Sequence, residues 1–189
     1  MQEPKRSQPE GVMIAGFGGQ GIIFAGKLLA QTAMRAGREV TYIPAYGAEV
    51  RGGTSNCSIV IHDQPIASPL VSTPTSLLAM NKASLARFAP CLRPGGLLIY
   101  NRSLIDTEPE PTGRTVVVPI PADELAIELG SQQVANMVML GAYIHMSGIL
   151  DLDQVVAALP DVLAKRHHNT LPANIAALNK GADFAAAHK

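Results

Sequence analysis

Val12-Met13-Ile14-Ala15-Gly16-Phe17-Gly18-Gly19-Gln20-Gly21 is the stretch on which the fold turns. Val12 to Ala15 is a short apolar run suited to a buried strand, and Gly16, Gly18 and Gly21 give G-x-G-x-x-G where a strand hands over to a helix. In such a turn the first glycine permits a tight bend, the second lets a ligand or another backbone come close, and the third lets the helix pack on the sheet. The first N–H groups of that helix favour an anion. Ile22 to Met34 follows with Ile22, Ala25, Leu28, Leu29, Thr32 and Ala33 on one face, and Gly37 stops it. Glu39 to Ile43 is the second strand, completing a βαβ unit. A dinucleotide site also needs an acid about 20 residues on, at the end of that strand, to hold the ribose. Tyr42-Ile43-Pro44-Ala45 supplies none. Anion binding and close helix–strand packing without a ligand both remain open.

Pro44 to Gly53 reads Pro-Ala-Tyr-Gly-Ala-Glu-Val-Arg-Gly-Gly, a predicted loop at the carboxyl end of the second strand, where ligands of open α/β sheets sit. Gly16, Gly18, Gly19, Gln20 and Gly21 would then share one crevice with Tyr46, Gly47, Glu49, Arg51, Gly52 and Gly53. Tyr46 can stack on a ligand and Arg51 can pair with one; equally, a Glu49–Arg51 pair can brace a turn or a subunit contact.

Further along, Thr54 to His62 predicts a third strand, with Asp63-Gln64-Pro65 turning into a short return strand at Ile66-Ala67, so part of the sheet is antiparallel. A helix is expected from about Ser76 to Phe88, a turn at Pro94-Gly95-Gly96, and strands at Leu97 to Asn101 and Thr115 to Val118. Pro121 to Leu129 opens a helical C-terminal third. Gln132 to Met146 is apolar nearly all round and therefore buried, inside the domain or against another subunit, with Asn136 a hydrogen-bonded amide in its midst. Asp151 or Asp153 caps a helix from Leu152 to Leu163 interrupted at Pro160, His167-His168 reads as a solvated loop, and an Ala-rich helix follows Leu171-Pro172. The expected class is α/β: a Rossmann-like three-layer domain with a mixed sheet, built from residues 11–189 behind a flexible tail of residues 1–10.

At 189 residues one domain can bury about 70% of its unfolded surface. Charged residues are 16% of the chain, below the roughly 25% usual for soluble domains, which points to apolar surface covered by partner subunits. Lys+Arg and Asp+Glu are equal at 15 each, so neither nucleic acid nor an anionic membrane is an expected partner. Cys57 and Cys91 stand far apart, too few for an iron–sulfur cluster and without a zinc pattern; buried thiols in a reducing, cytoplasmic setting are expected. The polar N-terminus is no signal peptide and no apolar run reaches membrane length. P-loop, nucleophile-elbow, zinc-protease and metal-assisted thiamine-binding patterns are missing as well. The chain has a site wall without chemical machinery.

Four sets of residues resemble the gamma subunits of the 2-oxoacid:ferredoxin oxidoreductases: Gly16 to Gly21; Tyr46 to Gly53 with Ser55; Met80-Asn81 with Pro94-Gly95-Gly96; and Ala135 to Ala142. The overall pattern is most similar to the 2-oxoglutarate type, with pyruvate, branched-chain and indolepyruvate relatives sharing the motifs. The resemblance implies one subunit of an enzyme that oxidatively decarboxylates a 2-oxoacid to an acyl-CoA, inactive alone. It implies alpha, beta and ferredoxin-like delta partners carrying thiamine diphosphate, magnesium and iron–sulfur clusters, with ferredoxin as electron acceptor. The gamma chain itself would hold none of these and contribute no catalytic residue. Its two glycine loops and Arg51 would lie near coenzyme A. Ala48 stands where relatives often carry proline. A free-standing NAD(P)-dependent oxidoreductase and a non-catalytic scaffold remain as alternatives.

Overall fold

The computed structural model describes residues 8–46, 54–109 and 113–188. Six strands, β1 (Glu10–Phe17), β2 (Glu39–Tyr46), β3 (Thr54–His62), β4 (Ser76–Ala79), β5 (Leu97–Asn101) and β6 (Val116–Ile120), form one sheet in the order β2-β3-β1-β4-β5-β6. β1, β4, β5 and β6 run parallel, whereas β3 is antiparallel to both β1 and β2. The predicted βαβ unit is thus present with a strand inserted: β2 parallels β1 but is separated from it by β3.

Four sequence expectations change here. The expected loop from Pro44 begins later, because Pro44, Ala45 and Tyr46 belong to β2 and pair with Cys57, Asn56 and Ser55. Proline is tolerated because β2 is an edge strand. No return strand forms at Ile66-Ala67; the antiparallel component is β3 itself. Ser76 to Ala79, expected as helix, is a fully buried strand between β1 and β5, and the helix α2 (Lys82–Phe88) starts only after Asn81, whose side chain accepts a hydrogen bond from Ser84 N–H at 2.9 Å. A four-residue apolar run has no distinguishing period, and the capping Asn81 marks the true boundary. Glu10, placed in the tail by sequence, is the first residue of β1, and its carboxylate accepts from Ser76 Oγ at 2.6 Å.

Alternation along the central strands divides the core into two. Val12, Ile14, Leu78 and Ile99 join one apolar cluster with α1 (Ile22–Arg35), α3 (Ala122–Glu128), α4 (Ala135–Ser147), α5 (Leu152–Val162) and α6 (Leu171–Ala187). Met13, Leu77, Ala79, Leu98 and Tyr100 join a smaller one with Leu85 of α2, Leu92 and Ile105. Successive strand residues point to opposite faces, so the domain is the expected three-layer α/β mixed-sheet fold with unequal outer layers.

α4 is buried from Ala135 to Ile144 inside the domain, packed on α6. A methyl group at Gly141 would overlap Leu178 O, and one at Gly181 would overlap Val138 O. Only glycine allows these backbones to approach so closely. α5 starts with a capping box of Asp151 and Gln154 and runs through Pro160 without interruption. His168, in a 3-10 turn, places Nε2 3.0 Å from Pro160 O and 3.1 Å from Leu163 O, a helix-end contact.

Candidate functional site

Chain connections leave β1 toward β3 and β2 on one side, while β4 leads through α2 to β5 on the other. The order therefore reverses between β1 and β4, the point at which open α/β sheets bind ligands beyond the carboxyl ends of their strands. Two turns meet there. Gln20 folds back beneath the glycine turn: its Oε1 accepts from Phe17 N–H at 2.7 Å and from Asn81 Nδ2 at 3.0 Å, while Gln20 N–H donates to Phe17 O at 3.2 Å. A Cβ on Gly16 would lie 2.6 Å from Gln20 Oε1 and 2.7 Å from Ile22 Cδ1, so Gly16 makes room for this fold-back.

Asn136, in the first turn of α4, closes the other end. Its Nδ2 donates to Gly21 O at 3.0 Å and its Oδ1 accepts from Met137 N–H at 3.0 Å. Gly21 has φ 71°, and a side chain there would strike the Asn136 amide. Asn136 is thus the satisfied amide expected from sequence, with a position that sequence did not reveal: it is the clasp on the glycine turn. Gly18 and Gly19 stay exposed at the tip.

Between these turns and α3 lies a crevice of about 260 Å³ lined by Gly19, Gln20, Met80, Leu104, Asp123 and Asn136, with the exposed Gln132 and Gln133 also on its wall. Its polar wall is a network. Asn101, fully buried at the end of β5, accepts from Ala122 N–H and Ser103 N–H and donates to Asp123 Oδ2; Gln132 Nε2 donates to Asp123 Oδ1 at 2.7 Å. Among the described residues no basic side chain lines this crevice. Nearby Lys82 pairs with Asp106 at 2.9 Å, and this contact holds the Asp106 carboxyl below its ordinary pKa.

Of the sequence-predicted site residues, Gly16, Gly18, Gly19, Gln20 and Gly21 form one turn. Tyr46 ends β2, exposed, in line with Ser55 and Gly16 across the sheet and so about 10 Å from the turn. Gly47, Glu49, Arg51, Gly52 and Gly53 lie outside the described residues. Tyr46 and Thr54 leave and re-enter the sheet at the same end as Gly16-Phe17. Asn101, Asp123 and Gln132 were missed altogether; the Asn101–Asp123 contact spans 22 residues and has no local signal. Cys57, beneath α1, contacts Ile22 O at 3.6 Å, and burial pushes its thiol up to about 12.

A family model described as pyruvate ferredoxin/flavodoxin oxidoreductase matches residues 11–184. The chain belongs to this family. Its family membership extends to full-length similarity: it is 32% identical over 176 residues to the 2-oxoglutarate synthase subunit KorC of Methanocaldococcus jannaschii, covering 92% of each chain. It is 44% identical over 143 residues to the ketoisovalerate oxidoreductase subunit VorA of Methanothermobacter marburgensis, spanning 76% of this chain but only 29% of that relative. Among solved structures, a keto/oxoacid ferredoxin oxidoreductase gamma subunit from Geobacter sulfurreducens superposes with a TM-score of 0.81 at 26% identity, covering 94% of this chain and 99% of that one. A 2-oxoglutarate:ferredoxin oxidoreductase from Magnetococcus marinus, with 2-oxoglutarate, coenzyme A and succinyl-CoA bound, superposes with a TM-score of 0.86 at 27% identity, over 96% of this chain and 32% of that one. Within this family fold, Gly16 to Gly21, Met80-Asn81 and Ala135-Asn136 converge on one place. Pro94-Gly95-Gly96 does not: it precedes β5 at the other end of the sheet, where a Cβ on Gly96 would lie 2.7 Å from Thr75 O.

Proposed function

We propose that this chain is the gamma subunit of a multi-subunit 2-oxoacid:ferredoxin oxidoreductase, and that the oxoacid is 2-oxoglutarate. The observation that carries this reading is the match with KorC along nearly the whole length of both chains. A branched-chain 2-oxoacid is the second reading, favoured by the higher identity to VorA. In either case alpha, beta and delta partners would carry thiamine diphosphate, magnesium and the clusters, which supply carbanion stabilisation and electron transfer to ferredoxin in the cytoplasm. Two cysteines in the whole chain cannot furnish a four-thiolate cluster site.

The role assigned to this chain is to wall the site. Gly16, Gln20 and Gly21 act by shape, since the Phe17 N–H that would greet an anion is already taken by Gln20. Coenzyme A would instead meet the exposed tip at Gly18 and Gly19 together with the segment from Tyr46 to Gly53, where Arg51 offers a bidentate phosphate partner. The chain tagged and recovered from native lysate tests this reading. The expected companions contain thiamine diphosphate, and the recovered complex reduces ferredoxin with 2-oxoglutarate and coenzyme A faster than with 2-oxoisovalerate. Recovery of the chain without a thiamine-dependent companion would overturn it.

A further inference from the structure

Asp123 is 9% exposed, and both of its oxygens accept from neutral amides. Among the described residues it has no cationic partner. Burying a carboxylate is costly unless it is paired as well as hydrogen-bonded. The crevice into which it opens has carboxamides of Gln20, Gln132, Gln133 and Asn136 around it and an apolar flank of Met80, Leu104 and Ala135. Glu124, exposed and within reach of Ser103 Oγ, adds a second negative charge close by. A phosphate is repelled by such a wall; a planar cation is attracted.

Size points the same way. Sites for whole cofactors or substrates run from about 300 to 1,000 Å³, and this one holds about 260 Å³. One long side chain fits, its stem against Met80 and Leu104 and its head on Asp123. We propose that the crevice is the socket for an arginine side chain inserted by a partner subunit, with Asp123 as its anchor. This rests on the multi-subunit reading above. It gives the buried carboxylate its missing charge, and arginine is favoured over lysine because a guanidinium lies flat against carboxylate and carboxamide oxygens at once. Anchors of this kind dominate interface energies.

Two experiments decide it. In the first, the full-length chain is labelled with 15N and titrated with ethylguanidinium or with inorganic phosphate; the expected result is that ethylguanidinium moves the amide signals of Gly19, Ala135 and Asn136 and phosphate does not. The reverse pattern, or no movement with either, overturns the proposal. In the second, variants are assembled with the partner subunits. Gln133→Lys, which places a cation on the exposed wall of the crevice without touching the Asp123 network, is expected to weaken assembly at least fivefold, Gln133→Glu to leave it equal or tighter, and Asp123→Asn to weaken it at least tenfold. Equal affinity of Gln133→Lys and Gln133→Glu would sink the socket while leaving the gamma-subunit reading intact. Failure of the wild-type chain to assemble would sink that reading instead, and the guanidinium titration still judges the crevice alone. A photo-cross-linker at Leu104 should join a partner peptide containing arginine; a cross-link back into this chain contradicts the proposal.

Discussion

Glycine is required both at the crossing of α4 and α6 and at the turn after β1, and the two places differ in what a side chain would meet. At the crossing of α4 and α6, a methyl on Gly141 or Gly181 would run into the facing helix backbone at Leu178 or Val138. At the turn after β1, a methyl on Gly16 or Gly21 would run mainly into the polar side chains of Gln20 and Asn136. Backbone in a packed helix pair cannot yield, whereas a side-chain amide can rotate. The first contact therefore holds the fold and the second holds the shape of a site.

That contrast breaks first under the heaviest substitution. Gly181→Ala should cost about 3 kcal/mol or more, because overpacking at a backbone contact forces the helices apart. For a chain of this size that is roughly a 10 °C fall in Tm, or loss of soluble protein, measured by thermal unfolding. A shift of only a degree or two would mean that the helices are not in this register. Gly21→Ala comes next, at about 2–3 kcal/mol, from a left-handed backbone of φ 71° together with displacement of Asn136. Its cost should shrink to the backbone part alone, about 1–2 kcal/mol, when Asn136→Ala is already present. Additive costs would show that Asn136 is no clasp.

How much of this was legible depended on distance along the chain. The β1 turn and α1 could be read because a strand, three glycines and an amphipathic helix are adjacent in sequence, and every residue predicted on the buried face of α1 is buried. α4 was readable as buried from its uniformly apolar surface, but not its partner α6, whose contact runs through Gly141 and Gly181 some 40 residues apart. Ser76 to Ala79 was misread because burial on both faces erases the alternation that distinguishes a strand. Insertion of β3 between β1 and β2 was hidden since strand order depends on pairing, not pattern. In the site, the glycines announced themselves, while Asn101, Asp123 and Gln132 acquire meaning only when the end of β5, α3 and the turn before α4 are brought to one crevice.

Milder substitutions sharpen the site side of the contrast. Gln20→Ala leaves Phe17 N–H and Asn81 Nδ2 without their shared acceptor and should cost about 1–2 kcal/mol in thermal unfolding, with Gln20→Glu restoring most of it. Arg51→Ala should leave Tm unchanged and raise the KM for coenzyme A in the assembled enzyme about tenfold; an unchanged KM would leave the chain as a scaffold. The smallest effect concerns Cys57 and Cys91. Cys91, expected from sequence to be buried, is exposed, and it should react with iodoacetamide at pH 8 while Cys57 resists until unfolding, since burial keeps the Cys57 proton on up to about pH 12. The unfolded chain releases that proton near pH 9, so it binds fewer protons than the folded chain above that pH and stability falls between about 9 and 12. Tyr42, whose hydroxyl donates to Ile23 O and is likewise raised chiefly by burial, acts in the same direction. Rising stability in that range would refute the buried placement of both.

The division of labour between this chain and its partners is tested most directly by mixing purified alpha, beta and delta partners with and without this chain and following ferredoxin reduction by 2-oxoglutarate at saturating coenzyme A. Turnover should be negligible for the chain alone, low for the partners alone, and restored when they are combined. Oxoacid oxidation by the isolated chain, or full turnover by the partners without it, would contradict the central claim.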